Sequence, residues 1–173
     1  MLEYWDILDK NGRKTGRTII RGNKPLTNGE YHLVVHIWVV NDRGEFLIQR
    51  RSNDRPMMPG EWAAHGGSAL SGEGSRHAAI RELNEELGIR PPRREMVHIR
   101  RMLRKYSLND IWAVKCNCDI EDLHLQKEEV DCVKWVTQME LKGMIECGLF
   151  HNYGRSYFET VFSIPQKLIS RGK

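Results

Sequence analysis

The chain has 173 residues, 40% hydrophobic and 29% charged, ordinary proportions for a soluble globular protein with one domain and a sizeable core. Its formal net charge of +4 fits an anionic ligand without implying nucleic acid. The N-terminal MLEYWDILDK is acidic and lacks the long apolar run of a secretory signal, and the most apolar stretch, Leu33 to Val40, is too short to span a bilayer; a cytoplasmic location with no membrane and no nucleic-acid partner is expected.

Trp5 to Asp9 and Arg17 to Arg21 read as strands around the turn signal Asn11-Gly12. Gly22 to Glu30, polar and containing Gly and Pro, reads as a loop. His32 to Val40 is rich in β-branched residues and apolar on both faces, as a central, doubly covered strand is. Asn41-Asp42-Arg43-Gly44 turns into a strand over Glu45 to Arg50. The proline-containing Ser52 to Gly60 is a loop, and Trp62 to Ala64 a short strand leading to Gly66-Gly67. A helix begins near Ser75 and stops at Gly88, with Pro91-Pro92 behind it. Arg94 to Lys105 alternates as a half-exposed strand does, and Ile111 to Cys118 and Val130 to Val136 supply two more. Thr137 and Glu140 have capping-box spacing for a helix reaching about Glu146. Tyr153 to Leu168 is a final helix, broken or kinked at Pro165.

No repeat, low-complexity tract or linker divides the chain. Residues 1–173 read as a single α/β domain with an N-terminal β-hairpin extension over about 1–30 and a C-terminal helix. Cys116, Cys118, Cys132 and Cys147 lack the spacing of a disulfide scaffold. A zinc site of Cys132 with His124 lacks paired ligand spacing, so buried, reduced thiols packed as small apolar groups are expected.

The densest chemistry lies in Gly67 to Ile89, GSALSGEGSRHAAIRELNEELGI. Residues three and four apart share a helix face, so Glu82, Glu85 and Glu86 fall together, while Ile80, Leu83 and Leu87 take the opposite side. Close carboxylates resist joint ionisation, and a hard divalent cation, most simply magnesium, relieves that penalty.

The order Gly67, five residues, Glu73, seven residues, then Arg81-Glu82-Leu83-Asn84-Glu85-Glu86-Leu87-Gly88-Ile89 resembles the signature box of the Nudix hydrolases at all nine specified positions. The resemblance implies an α/β/α sandwich around a central mixed β-sheet. It also implies Mg²⁺-dependent (alternatively Mn²⁺-dependent) cleavage of a diphosphate bond in a small-molecule substrate. In that reading Glu82, Glu85 and Glu86 hold the metal, a carbonyl near Gly66 adds a ligand, and Arg81 pairs with Glu73 to brace the loop. Attack is by water, whose proton passes to a carboxylate: Glu85, with Glu82 beside it, or Glu128 and Glu129, since Nudix proteins often place a catalytic Glu outside the box. Arg51 and Arg55 are candidates for the phosphates, and Asp110 for substrate or metal. The basic stretch Arg90 to Lys105 reads as a solvated strand edge or as a rim attracting polyanions. Trp62 or Trp112 could border the substrate, though core packing is the default for both; His65 reads as a hydrogen-bonded structural residue.

The segment QRRSNDRPMMPGEW also resembles isopentenyl-diphosphate isomerase, a Nudix relative. Aligned without gaps, however, Gly66 falls at its catalytic cysteine and Ser68 at its metal-binding histidine, which disfavours proton-transfer isomerisation. A nucleotide-sensing module without turnover is the third reading; the intact carboxylates speak against it. Substrate identity stays open, with a small nucleoside-diphosphate derivative or other organic diphosphate favoured. A homodimer through the N-terminal strands is also left open.

Overall fold

In the computed structural model, which describes residues 2–23 and 25–171, the first signal to act is the Asn11-Gly12 turn. It joins β1 (Tyr4–Leu8) to β2 (Lys14–Ile20), with the Asp9 carboxylate accepting from the backbone N–H groups of Asn11 and Arg13. The hairpin is a two-stranded sheet of its own, tied to the next strand by backbone bonds between Leu8 and Tyr31.

β3 (His32–Val40) is central, as its double-sided apolar pattern requires. Around it lie β4 (Phe46–Arg51), β5 (Trp62–Ala63), β6 (His65–Ser68), β7 (Val97–Leu103), β8 (Ser107–Lys115) and β9 (Val130–Val136). The sheet runs β5-β4-β3-β8-β7, with β6 paired to β3 and β9 to β4. β3 and β8 are parallel while the other named pairings are antiparallel, so the sheet is mixed.

Several strand boundaries differ from the sequence reading: β2 begins at Lys14 rather than Arg17, and His65–Ser68 forms a strand of its own after Trp62–Ala63. β8 begins at Ser107, four residues before Ile111, and ends at Lys115 rather than Cys118. Asn109 and Asp110 therefore lie inside a doubly paired strand, where Ser107 and Arg101 satisfy their side chains. β7 is shorter than Arg94 to Lys105, and Arg104 N–H closes the hairpin on the Ser107 carbonyl at 2.8 Å.

α1 (Ser75–Leu87) covers one face, ending where Gly88 takes the left-handed conformation at φ 75° and donates to the Asn84 carbonyl. Its Ala78, Ala79, Leu83 and Leu87 pack on Val35, Ile37, Val39, Leu47 and Val114. Burying each leucine contributes about 1.5–3 kcal/mol. On the other face lie α2 (Gln138–Glu146), opened by the Thr137–Glu140 capping box, α3 (Arg155–Phe162) and α4 (Ile164–Arg171). Leu141, Tyr157, Phe158, Val161 and Ile164 pack there on Trp38, Phe46, Ile48, Ile111 and Ala113. The result is a mixed-sheet α/β/α sandwich. The expected C-terminal helix is two helices, broken at Ser163 rather than at Pro165. Proline has no N–H and its ring crowds the carbonyl four residues back, so the break must precede it. At the break the Ser163 N–H turns back to the Thr160 and Val161 carbonyls, and its Oγ donates to the Thr160 carbonyl at 2.7 Å.

The four thiols are free, but the expectation of burial fails: Cys116, Cys118 and Cys132 are half-buried and Cys147 is exposed. No helix among the described residues is long and apolar enough to cross a membrane.

Candidate functional site

The site forms where α1 crosses β6. The sheet offers Gly66 and Gly67 there, two residues without side chains, and the helix sinks two carboxylates into the space. Glu82 is 9% exposed and Glu86 1%, both facing the sheet; Glu85 alone is exposed. This corrects the simple division of α1 into an apolar and an acidic face. Glycine in β6 lets acidic side chains pack inward, and Ile80 is left half-exposed.

Each carboxylate has defined partners. Glu86 accepts from Gly66 N–H and from Gln49 Nε2, both at 3.2 Å, and its backbone carbonyl accepts from Gln126 N–H at 3.1 Å. Arg81 reaches Glu82 Oε1 at 3.0 Å and Glu85 Oε2 at 2.7 Å with the same Nη1. Its Nε and Nη2 form a fork on Glu73 at 2.9 and 3.0 Å, and Nη2 also donates to the Ser68 carbonyl at 3.1 Å. Glu73 accepts in addition from Leu70 N–H, so both its oxygens are engaged in bracing the loop.

Burial, and after it the neighbouring Glu86, pushes the Glu82 carboxyl up to about 8, although Arg81 works against the rise. Among the described residues no three His, Cys, Asp or Glu side chains already stand as a set of metal ligands. The expected trio resolves into an inward pair, Glu82 and Glu86, and an exposed Glu85 that Arg81 Nη1 bridges to Glu82. The donor set nevertheless fits a hard dication. Two crowded carboxylates are held by few donors, and a side chain on Gly67 would collide with Glu82: its Cβ would stand 2.6 Å from Glu82 Cδ.

Arg51, Arg55 and Glu129 are gathered beside β9. Arg51 Nε donates to the Met57 carbonyl at 3.0 Å, Arg55 Nη1 meets Glu129 Oε1 at 3.2 Å, and Ser52 N–H donates to the Glu129 carbonyl at 2.8 Å. Glu128 is exposed in the same turn. The strap that carries this turn also bonds the end of α1, through His124 N–H to the Leu87 carbonyl and Gln126 N–H to that of Glu86.

Asp110 is not brought to this cluster. It lies on β8 by the first turn of α1, with both oxygens accepting from Arg101 at 2.7 Å and His98 Nε2 3.3 Å away. Burial raises its carboxyl, but the Arg101 bonds and charge dominate and hold it below the usual range. Much of the Arg90 to Lys105 stretch is likewise engaged: Arg100 with Thr160, Arg101 with Asp110 and Arg104 with the Tyr153 carbonyl. Trp112 is buried, donating to Ser75 Oγ at 2.8 Å, while half-buried Trp62 lies under Lys134.

Sequence reasoning missed Gln49. Its signal was a polar residue after Phe46-Leu47-Ile48, on an inward-facing strand where an apolar residue would be expected.

Comparison with known proteins shows the family and the fold. The family model described as NUDIX domain matches residues 30–153. A Nudix hydrolase of Listeria monocytogenes is 40% identical over 159 residues, covering 88% of this chain and 90% of its own length. The crystal structure of DR0079 from Deinococcus radiodurans superposes with a TM-score of 0.74 at 20% identity, covering 92% of this chain and 97% of its own. The NUDIX domain of Shewanella oneidensis NrtR, solved with ADP ribose, gives a TM-score of 0.60 at 17% identity, covering 76% of this chain and 86% of that one.

Proposed function

The chain belongs to the Nudix hydrolase family, and from that premise we propose that it is a cytoplasmic Mg²⁺-dependent pyrophosphohydrolase acting on a nucleoside-diphosphate derivative or another small organic diphosphate. The observation that carries the proposal is the inward pair Glu82 and Glu86 packed against Gly66 and Gly67. These carboxylates, with Glu85 and the Gly66 carbonyl, would hold the metal. Bound magnesium supplies charge neutralisation at the diphosphate oxygens and acidifies water. Arg51, bonded to the Met57 carbonyl, and Arg55, paired with Glu129 of the turn before β9, bind and orient the phosphates. Glu85, the exposed member of the trio, accepts the proton of the attacking water; Glu129 and Glu128 are the alternative acceptors, with Glu129 already beside Arg55.

The isomerase reading is disfavoured at Gly66. The backbone there has φ 139°, and a Cβ would stand 2.9 Å from the Val35 carbonyl carbon and nearer still to its oxygen, so a cysteine has no room.

The test is a Mg²⁺-supplemented panel of nucleotide sugars including ADP ribose, dinucleotides, nucleoside triphosphates, coenzyme A and prenyl diphosphates, run in oxygen-18 water. Release of a labelled phosphate product is expected. Conversion of isopentenyl to dimethylallyl diphosphate would replace hydrolysis by isomerisation. Tight binding of one nucleotide sugar with no turnover on any compound would replace it by a sensing role.

A further inference from the structure

Behind Glu86, two buried side chains carry acceptor atoms that nothing among the described residues satisfies. Gln49 is fully buried on β4, with Nε2 at 3.2 Å from both the Ala64 carbonyl and Glu86 Oε1. The carbonyl can only accept, and so can the ionised carboxylate, so the amide must present its nitrogen to them and turn Oε1 away. That oxygen meets no donor. His65, also fully buried, repeats the pattern. Its Nε2 stands 3.2 Å from the Leu47 carbonyl, which in the neutral ring places the proton on Nε2 and leaves Nδ1 as an acceptor. Nδ1 has no hydrogen-bond partner; Glu86 Oε2 lies 3.6 Å away.

Leaving two buried acceptors empty costs free energy, and apolar side chains of the same size would avoid that cost. The arrangement makes sense if a ligand brings the missing protons. An anion cannot, because it would set acceptor against acceptor. A hydrated dication can: water polarised by the metal is a strong donor, and magnesium retains several of its waters.

We infer that Gln49 and His65 are positioning residues of the cation site, orienting Glu86 and reserving Gln49 Oε1 and His65 Nδ1 for protons carried by the hydrated metal. The inference rests on the reading of Glu82 and Glu86 as metal-holding groups. It adds a layer of recognition that comes from β4 and β6 rather than from α1.

The experiment measures Mn²⁺ binding to the full chain without substrate, from the electron paramagnetic resonance signal of free Mn²⁺, with thermal melts recorded in parallel. His65→Asn keeps an acceptor where Nδ1 stands, whereas His65→Gln keeps a polar group only where Nε2 stands. His65→Gln and Gln49→Met are expected to weaken Mn²⁺ binding by about tenfold or more, and His65→Asn to stay within about threefold of wild type. A merely structural histidine would not produce this order. Should Gln49→Met not fold, the two His65 variants decide the matter. If wild type binds Mn²⁺ and His65→Gln binds it equally well, or His65→Asn is as weak as His65→Gln, the inference is overturned while the metal reading stands. If wild type takes up no Mn²⁺, both fall.

Discussion

Glu82 occupies the space that a side chain on residue 67 would fill: a Cβ built on Gly67 would stand 2.6 Å from Glu82 Cδ and 2.7 Å from Oε2. The glycine is required by close approach, since its backbone is not left-handed. Its neighbour is required for a different reason. Gly66 has φ 139°, and its missing Cβ would press on the Val35 backbone.

The two glycines therefore fail differently when replaced. In Gly67→Ala the displaced atoms are the tip of a flexible side chain, so the fold persists and Glu82 moves. We expect a melting temperature within a few degrees of wild type and a loss in kcat/KM of about 10²-fold, the scale of an ångström's misplacement. Gly66→Ala must shift backbone in the central strand and is expected to unfold or aggregate. Melting curves and turnover of the two variants check this; wild-type turnover in Gly67→Ala would contradict the placement of Glu82 in the site.

The contribution of Glu82 to the stability of the metal-free protein should fall with rising pH, while His32 and His36, whose rings burial pulls down to about 4, work the opposite way below about pH 6.5. Burial, then Glu86, raises the Glu82 carboxyl from 4.5 to about 8. The unfolded chain releases this proton first, so the group's contribution is complete below about pH 4.5, declines through the interval and is lost above about 8. Melts in chelator should show wild type losing stability relative to Glu82→Gln as pH rises from 5 to 8, since the variant keeps the His32 and His36 contributions and lacks the Glu82 one. Added Mg²⁺ should raise the melting temperature most near pH 8, where the carboxyl is ionised.

Arg81→Lys removes the fork on Glu73 while keeping the charge. A single ammonium cannot serve Glu73, Glu85 and the Ser68 carbonyl together. The expected outcome is a loss of about 1 kcal/mol in stability, discounted because the pair is part-exposed, together with roughly a tenfold lower kcat/KM. Denaturant melts and steady-state kinetics measure the two effects.

Leu141→Ala tests the layer remote from the site. Leu141 is fully buried where α2 meets the sheet face opposite α1. Its truncation should cost about 2–5 kcal/mol, read from chemical denaturation, with turnover per folded molecule unchanged.

The sequence disclosed the elements whose signals are local. The helix stop at Gly88, the capping box of Thr137 and Glu140 and the central placement of His32–Val40 were legible, because each depends on the pattern within one segment, and the pairing of Arg81 with Glu73 was implied by the resemblance to the Nudix box. The start of β8 was not. Asn109 and Asp110 look like loop residues until Arg101 is found across the hairpin. Gln49 was opaque for the same reason, since its partners Ala64 and Glu86 lie far along the chain, while for His65 a hydrogen-bonded structural place was legible but its partner Leu47 was not.

Helical periodicity and the nine-position box determined that three acidic side chains would stand on one helix of a Nudix fold. Only the tertiary structure decided their orientation. Glu82 and Glu86 turn inward because β6 brings two glycines beneath them, while Glu85 stays exposed at the rim, tied to the pair through Arg81. Periodicity places residues around one axis, whereas burial and charge pairing depend on what the rest of the chain sets against it.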